Sequence, residues 1–444
     1  MTGGLPFQLD MLAIVLGATL VNILLRHRPA WGAAIIPVLL VLVPPQAEST
    51  YTIFFHPAIY VAAIFLITQF LTDQWGVYEV VRRSGWVLLG MVALSLYASL
   101  DLLNFSGIGS PVQLVLTLLR LFGVAFVLFL SMRVGLRHGG RDYLVIVGTL
   151  LAVGVFQVYL ANEQVTSGGE RGYWWRSAYE ASWWWVDDYK IGLGTTGHSL
   201  QLGLFLASLV PMLMLLRQVW LRYALAIAFI YGITTATARA ALILALIAAV
   251  YVVAAGSRRW ARTGLAAIAA VPVVLAVMGT QAVSTISSKF ASDAGSAQLR
   301  ADAREWAWTH KGEFLFFGYP GSRDLRGAGL LGSSLENGYL MAGLQFGLVF
   351  AVGLGLYHLA VMWGYIRRAD RLRVPVALSV LIVFVGFNAS SSFMGGALEG
   401  TLFWVYLGVL AADGDVAERQ AAAEEGEPIG RGVDDLDRVP LLRS

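Results

Sequence analysis

The amino-acid sequence predicts an all-α polytopic integral membrane protein with about 12–13 transmembrane helices and two sizeable extracytoplasmic loops. Hydrophobic residues make up 57% of the 444 residues and charged residues only 13%, whereas soluble domains carry about a quarter charged residues. About a dozen stretches reach the roughly 20 apolar residues that a spanning helix requires. Short segments of alternating polarity, which a membrane β-barrel would show, are absent from the sequence.

The predicted spans follow one another over residues 1–412, which we treat as one transmembrane domain. They lie near residues 8–25, 30–45, 56–72, 84–102, 111–132, 143–161, 197–216, 219–236, 239–256, 262–281, 337–366, 374–391 and 396–412. The second span is short and could be tilted or only partly crossing, and the last two could form one broken helix. Residues 413–444 are polar and acidic, so we expect a disordered tail there.

Arginine residues are distributed unevenly over the connections between these spans. The segments around 46–55 and 103–110 have no Lys or Arg. Six other connections contain Arg26, Arg28, Arg82, Arg83, Arg133, Arg137, Arg141, Arg217, Arg222, Arg258, Arg259, Arg262, Arg367, Arg368, Arg371 and Arg373. Because cytoplasmic loops are enriched in Lys and Arg, these six connections are predicted to be cytoplasmic. Thirteen spans would then leave the N-terminus outside and the tail in the cytoplasm.

Two outer connections, residues 162–198 and 282–336, are much longer than the others. The first is rich in Trp and Tyr and includes Trp184, Asp188 and Lys190. Trp and Tyr either anchor a protein at the lipid headgroups or stack on the apolar faces of sugars. Carboxylates directly after a run of three tryptophans favour the sugar interpretation, since a membrane anchor does not need them. These three residues are therefore candidate substrate contacts.

The second long loop contains a predicted helix over residues 296–310. Arg300 and Arg304 are four residues apart and so share a face of this helix. Two like charges on one face are mildly unfavourable unless an anion lies between them. Both arginines are therefore candidate anion contacts, and a solvated face or pairing with Asp302 and Glu305 is the alternative.

Two further arginines lie at the end of a span or inside one. Arg239 follows a Thr-rich segment that joins two spans with almost no loop. Its planar guanidinium suits a phosphate group through bidentate hydrogen bonds, although snorkelling to lipid headgroups would also explain it. Arg120 lies about nine residues into its span, where a charge is costly and indicates a functional candidate. An ion pair with Asp101 is the alternative for Arg120.

A titratable residue stands at the start of the helix that follows each long loop, His198 after the first and Glu336 after the second. Glu336 could cap its helix through the helix dipole or act as a general base at the membrane surface. His, Asp and Glu do not occur at the spacings of a metal site, and no nucleotide-binding motif is present. The sequence, which also has no cysteine, therefore predicts no metal or other cofactor.

Four stretches between residues 190 and 350 carry a family likeness. They are a Gly-rich segment at 194–211, a Thr-rich segment at 234–245, an Arg- and Trp-containing loop at 300–318, and Glu336-Asn337-Gly338-Tyr339-Leu340 followed by Gly343 and Gly347. In this order they resemble the O-antigen ligase and Wzy-type O-antigen polymerase superfamily of bacterial membrane glycosyltransferases. The sequence departs from that family in having Ala238-Arg239-Ala240 for Ser-Arg-Gly and Glu336 where ligases have histidine.

The resemblance implies a donor and a reaction. The donor is an undecaprenyl-diphosphate-linked oligosaccharide at the outer leaflet, and the reaction is its metal-independent, inverting transfer with release of undecaprenyl diphosphate. Glu336 in place of histidine favours polymerisation of repeat units into O-antigen, capsule or exopolysaccharide. The alternatives are an O-antigen ligase or a protein O-glycosyltransferase with the same donor, and a lipid-linked sugar transporter.

The implied chemistry also assigns roles to residues and a location to the protein. Glu336 is the expected catalytic base, and Arg239 is expected to neutralise the leaving diphosphate. The expected substrate-binding residues are Arg300, Arg304, Lys190, Arg120, His198, Asn337, Tyr339, Trp184 and Asp188. The implied location is the bacterial inner membrane, with the active site facing the periplasm or the cell exterior. Expected partners are the lipid-linked glycan donor and acceptor, membrane lipids and a chain-length regulator, without nucleic acid.

Overall fold

The computed structural model describes residues 4–45, 55–100, 111–139, 142–180, 191–255, 294–319, 337–369, 373–386 and 398–424. Every regular element within these ranges is a helix, which confirms the predicted all-α class. Helices α1–α8 are Gly4–Leu24, Pro29–Leu42, Pro57–Thr72, Gln74–Arg83, Gly85–Leu100, Pro111–Leu118, Val124–Gly135 and Tyr143–Thr166. Helices α9–α17 are Arg176–Glu180, Ser199–Leu209, Val219–Thr235, Arg239–Ala254, Ala294–Thr309, Gly338–Phe346, Leu348–Ile366, Val374–Gly386 and Leu398–Glu424. A π-helical turn, Leu119–Gly123, joins α6 to α7, and a 3₁₀ turn, Pro211–Leu215, follows α10.

Three of the described helices are long and apolar enough to cross a membrane. They are Leu114–Gly135, which includes the π-helical turn, together with α8 and α15. A fourth candidate results if α4 and α5, which are bent by 58° against each other, count as one span. Eight further apolar helical segments have 10–17 residues. The structure thus supports membrane association, and the number of 12–13 spans stays a prediction.

The described helices coincide with the predicted spans to within a few residues over most of the chain. The spans predicted at 143–161 and 219–236, for example, are α8 and α11. The helix predicted at 296–310 is α13. Helix α17 continues to Glu424, twelve residues into the segment for which the sequence predicts disorder. The predicted span at 262–281 and residues 425–444 lie outside the described residues.

Helix α10 lies at the centre of the bundle and contacts α8, α11, α12, α16 and α17. All its residues except Leu200 are buried. Small residues permit this close packing, since a Cβ on Gly203 would run into the Cβ of Ala238, the N-cap residue of α12. On the side facing α17, the hydroxyls of Ser208 and Tyr406 are hydrogen-bonded at 2.9 Å. Helix α10 therefore fixes the positions of five neighbours that carry or adjoin the predicted site.

Several of the connections that are rich in arginine meet at one end of the bundle, which we call the arginine end. Arg137 donates to the Asp73 carboxylate at 2.9 Å and thereby joins α7 to the start of α4. Arg373 donates to the carbonyl of Val409 at 2.7 Å and lies over the ring of Tyr143, 4.2 Å from its centroid. Arg137 and Arg373, which belong to the connections predicted to be cytoplasmic, thus also join helix ends through hydrogen bonds.

The opposite end of the bundle, which we call the site end, brings together helix ends that are distant in sequence. His56, at the start of α3, is hydrogen-bonded to the Val43 carbonyl at the end of α2 at 2.8 Å. The N–H of Gly192 donates to the carbonyl of Thr235, at the end of α11, at 3.0 Å. The starts of α10 and α12 lie at the same end, because α10 and α12 follow these contacts directly in the chain.

The single long span predicted over residues 337–366 is wrong, because the chain folds back at Gly347. Helices α14 and α15 form an antiparallel hairpin around this glycine, whose φ is +99°. A Cβ on Gly343 would lie 3.5 Å from the Cβ of Ala351, and Tyr339 Oη is hydrogen-bonded to His358 Nδ1 at 3.0 Å. In both pairs the two partners lie at similar numbers of residues before and after Gly347, as an antiparallel pair of helices requires.

A backbone strap from the second long loop occupies the bend of this hairpin. The N–H groups of Leu348 and Val349, at the start of α15, donate to the carbonyls of Phe314 and Leu315 at 2.9 and 3.0 Å. A Cβ on Gly347 would run into the carbonyl of Phe316, so no larger residue fits at the bend. Hydropathy did not indicate the hairpin, because both arms are apolar and only the left-handed glycine separates them.

The hairpin places the first turn of α14 well below the site end. Tyr339 contacts Gly355 and His358, which lie eight to eleven residues after the bend. At 1.5 Å per residue this corresponds to about 12–16 Å along α15, whose 19 residues are about 28 Å long. The start of α14 thus lies about halfway along α15, and not at the membrane surface as the sequence suggested.

Candidate functional site

The Gly-rich segment Ile191–Gly197 is a buried loop that enters the site end of the bundle. Two glutamines of α8 bind its backbone. Gln157 accepts from the N–H of Thr195 at 2.8 Å, and Gln164 accepts from the N–H groups of Leu193 and Gly194 at 2.7 and 2.9 Å. Gly194 has φ +58°, and a Cβ there would collide with the Gln157 amide. The loop is therefore held in one conformation although it lies inside the bundle.

Sequence reasoning missed Gln157 and Gln164, although a signal was available. They are seven residues apart in a largely apolar helix, so both lie on one face of α8. Buried amides are found almost always in hydrogen bonds, and two on one face indicate a polar partner alongside. That partner is the Gly-rich loop.

The loop leads into α10 at His198, which is the N-cap residue of that helix. The His198 ring accepts a hydrogen bond from the N–H of Leu200 at 3.1 Å, and the ring remains partly exposed. His198 is predicted to bind substrate, and the structure adds this capping role, which orients the ring at the site end. No metal is needed to explain its position.

Arg239 is the first residue of α12 and is partly exposed at the site end. Thr237 before it has φ +54°, a conformation that is uncommon for a threonine, and Ala238 is extended. Because Gly203, the fifth residue of α10, packs against Ala238, α12 begins about 6 Å below the start of α10. The structure thus places Arg239 beside and below His198, on a parallel neighbouring helix.

Helix α13 packs against α14 through a small apolar cluster. Ala303 and Ala307 of α13 are buried together with Phe314 of the strap and Leu344 of α14. Arg304 lies beside this buried face of α13 and is exposed. Arg300 lies one turn earlier on the same helix, and its side chain is outside the described part of the structure. The predicted arginine helix is therefore attached to the helix that begins at Asn337.

Asn337 is the N-cap residue of α14, so the helix-cap role considered for Glu336 belongs to its neighbour. The Asn337 side chain accepts from the N–H of Leu340 at 2.9 Å. Two residues on, the Tyr339 hydroxyl contacts the buried His358, which sequence reasoning did not identify. Asn337 and Tyr339 are both partly exposed about halfway along α15. Glu336 itself lies outside the described residues.

Arg120 belongs to the π-helical turn between α6 and α7. Single π-helical turns inside α-helices occur frequently at functional sites. Phe122 in the same turn contacts Phe350, in the first turn of α15, with ring centroids 6.4 Å apart. Arg120 is partly exposed and lies near the bend of the α14–α15 hairpin. Asp101, its alternative partner from sequence, lies outside the described residues.

Helix α16 lies between the two groups of predicted residues. Its Phe384 contacts the Tyr339 ring at 6.3 Å between centroids, and a Cβ on Gly386 would run into Leu204 of α10. One group comprises His198 and Arg239, and the other comprises Arg304, Asn337, Tyr339 and Arg120. Lys190, Trp184 and Asp188 lie outside the described residues, so their predicted contacts stay predictions.

Aromatic residues of the first long loop that the structure describes attach this loop to the bundle. Trp175 Nε1 donates to the carbonyl of Leu42 at 2.7 Å, and the Tyr173 hydroxyl donates to the carbonyl of Ile191 at 3.3 Å. Trp174 is 62% exposed. Trp175 thus attaches the first long loop to the end of α2, and Tyr173 attaches it to the start of the Gly-rich loop. Neither the lipid nor the sugar interpretation had included this role.

Over the described ranges, His, Asp and Glu side chains do not cluster in threes that could hold a metal ion. No protein-family model matches the chain, and no curated protein shows significant similarity to it. A proposal for the function therefore depends on the chemistry of the residues described above.

Proposed function

We propose that this protein polymerises undecaprenyl-diphosphate-linked oligosaccharide repeat units into O-antigen, capsule or exopolysaccharide. The donor would be bound at the outer leaflet, and its glycan would be transferred with inversion to a hydroxyl group of a second lipid-linked repeat unit. The resemblance of four sequence stretches to bacterial membrane glycosyltransferases suggests this activity.

One observation supports the proposal most. The four stretches meet in two contacting pairs, although they are spread over about 150 residues of sequence. The Gly-rich stretch packs on the Thr-rich stretch, where a Cβ on Gly203 would run into Ala238. The loop helix α13 packs on α14 through Ala303, Ala307 and Leu344. Helix α16 contacts the elements of both pairs. Chance motif matches would have no reason to be neighbours in the fold.

The chemistry requires a cation for the leaving group and a base for the acceptor. The acceptor oxygen attacks the anomeric carbon while the bond from this carbon to the diphosphate oxygen breaks. Arg239 would neutralise the charge that develops on the diphosphate, with Arg300, Arg304 or Lys190 assisting. The Glu336 carboxylate would take the proton of the attacking hydroxyl. Undecaprenyl diphosphate leaves, and no cofactor enters this balance.

The proposal also includes a topology. The chain would cross the bacterial inner membrane 12–13 times, with the arginine end in the cytoplasm and the site end facing the periplasm or cell exterior. A lipid-linked acceptor, membrane lipids and a chain-length regulator would be its partners. The positive-inside rule supports this orientation, because three arginine-rich connections meet at one end of the bundle, through the Arg137–Asp73 ion pair and the contact of Arg373 with Tyr143.

The test is polymerisation of a purified lipid-linked repeat unit by the reconstituted protein. Arg239→Ala should reduce turnover about 10²–10³-fold, the usual effect of losing one group that stabilises developing charge. Arg171→Ala, an exposed arginine of the first long loop, is the matched control and should retain full activity. Glu336→Gln should reduce turnover more than donor binding.

Other products would identify the alternatives. Transfer of the glycan to lipid A or to a protein would indicate a ligase, and movement of the donor between leaflets without a new glycosidic bond would indicate a transporter. Normal polymer lengths with Arg239→Ala would contradict the assigned role of Arg239.

A further inference from the structure

The short helix α14 is held at its two ends by different kinds of contact. Near the bend, a Cβ on Gly343 would lie 2.9 Å from Leu348 and 3.5 Å from Ala351, so the helices are close-packed there. At the far end, the hydrogen bond between Tyr339 Oη and His358 Nδ1 joins the first turn of α14 to the middle of α15. This bond is 3.0 Å long, and His358 is only 3% exposed.

In a hairpin, the contact farthest from the bend, here the hydrogen bond between Tyr339 and His358, determines where the first turn of α14 lies. Asn337 is ten residues from Gly347, which corresponds to about 15 Å along the helix. A rotation of about 10° at the bend would therefore displace Asn337 by more than about 2 Å. A misplacement of about 1 Å in an active site can cost about a hundredfold in rate.

His358 is itself fixed by aromatic rings from other helices. Its ring lies 5.3 Å from Phe403 and 5.6 Å from Trp404 of α17, between ring centroids. Both α17 residues belong to the buried core. The imidazole is therefore a rigid attachment point, and the Tyr339 hydroxyl connects the shorter arm of the hairpin to it. A polar residue inside an apolar span of this kind is rare and indicates a function.

The geometry points to His358 as a positioning residue that acts through Tyr339. It holds the first turn of α14, which begins after Asn337, at the depth that the proposed glycosyl transfer requires. The expected effect on turnover rests on the proposed function. The structural claim, that His358 holds the first turn of α14, can be tested without measuring activity.

The structural claim is tested by hydrogen exchange of the peptide that covers residues 337–346. His358→Phe keeps a ring but loses the ring nitrogens, and Tyr339→Phe loses only the hydroxyl. Each substitution should speed exchange of this peptide about threefold or more. The double variant should exchange no faster than either single variant, since both substitutions remove the same hydrogen bond. His358→Asn keeps a polar atom at the Nδ1 position and should restore slow exchange.

Ser208→Ala is the matched control, because it removes a hydrogen bond of 2.9 Å between α10 and α17 without touching α14. It should leave exchange of the peptide unchanged. Parental exchange with His358→Phe, or additive effects in the double variant, would overturn the positioning role.

Turnover on the lipid-linked repeat unit is the second readout. His358→Phe and Tyr339→Phe should lower kcat about tenfold while KM changes less than about twofold. Faster exchange without loss of kcat would show that the bond is structural only and would overturn the inference. If the unmodified protein forms no polymer, the proposed function fails, and the exchange measurements still decide whether His358 holds α14.

Discussion

The hairpin of α14 and α15 can be tested by a disulfide, because the chain contains no cysteine of its own. The perturbation is the pair Gly343→Cys and Ala351→Cys. The Cβ positions of these residues are 3.5 Å apart in the structure, within the range of about 3.5–4.5 Å found in disulfides. In the single long helix that the sequence predicted, eight residues would separate them by about 12 Å.

The assay is oxidation of the membrane-embedded variant, followed by denaturation and labelling with a polyethylene-glycol maleimide. A disulfide within one chain leaves no thiol to label, so the oxidised variant should migrate like the unlabelled protein. The side chain of Leu348 lies 2.9 Å from the new Cβ at position 343 and must turn aside. Because this contact is made by the end of a flexible side chain, we expect most of the population to form the bond.

The matched control is Gly343→Cys with Gly353→Cys. A Cβ on Gly353 points at Leu94 of α5, 3.4 Å away, and not at α14. This pair should keep both thiols. Two labelled thiols in the oxidised Gly343→Cys and Ala351→Cys variant would refute the hairpin, and so would equal protection of the control pair.

Three further predictions concern stability. Gly347→Ala should lower the free energy of unfolding by about 1–3 kcal/mol, because the φ of Gly347 is +99° and a neighbouring carbonyl blocks the Cβ. Its control is Gly312→Ala, which has open space around the new Cβ and should leave the melting temperature nearly unchanged. Gln157→Leu leaves buried groups of the Gly-rich loop without partners and should lower the free energy of unfolding by about 1–3 kcal/mol. Thr149→Val should lower it less, because the Thr149 hydroxyl is hydrogen-bonded only to its own helix. Burial alone would raise the pKa of Asp73, but hydrogen bonds from a backbone N–H and a guanidinium hold it below its usual value. Its stabilisation should be complete above about pH 4 and fade as the pH falls further. Melting of the Asp73→Asn variant should therefore depend less on pH below about 4 than melting of the unmodified protein.

The sequence allowed the all-α class and the positions of most helices to be predicted, because hydropathy over about 20 residues is a strong signal. It also indicated that the Thr-rich and Gly-rich segments matter, and these segments are in contact at Ala238 and Gly203. The hairpin at Gly347 was not predictable in the same way. A reversal between two apolar arms changes no hydropathy average, and it depends on a strap from a loop about 30 residues earlier in the chain.

The individual roles of site residues were harder to predict than their neighbourhood. His198 and Asn337 are both helix N-caps, and a cap cannot be distinguished from a ligand contact by residue type alone. His358 was missed because an isolated histidine inside an apolar span has no recognisable spacing. Its importance depends on Tyr339, nineteen residues earlier, which reaches it only because the chain reverses.

In the part of the chain that the structure describes, two segments of irregular backbone lie next to the proposed site. Inside a membrane, backbone groups outside helices are tolerated only where protein or a water-filled cavity satisfies them. Residues 191–197 meet this condition through Gln157 and Gln164, and the bend at Gly347 meets it through the carbonyls of the strap. Helix α10 has only 11 residues, about 16 Å, so the buried loop supplies part of the length that a continuous helix would otherwise fill. Both irregular segments adjoin the stretches that carry the family likeness. A continuous helix at either place would use its backbone N–H groups within the helix, whereas the loop and the hairpin place the starts of α10 and α14 within these stretches.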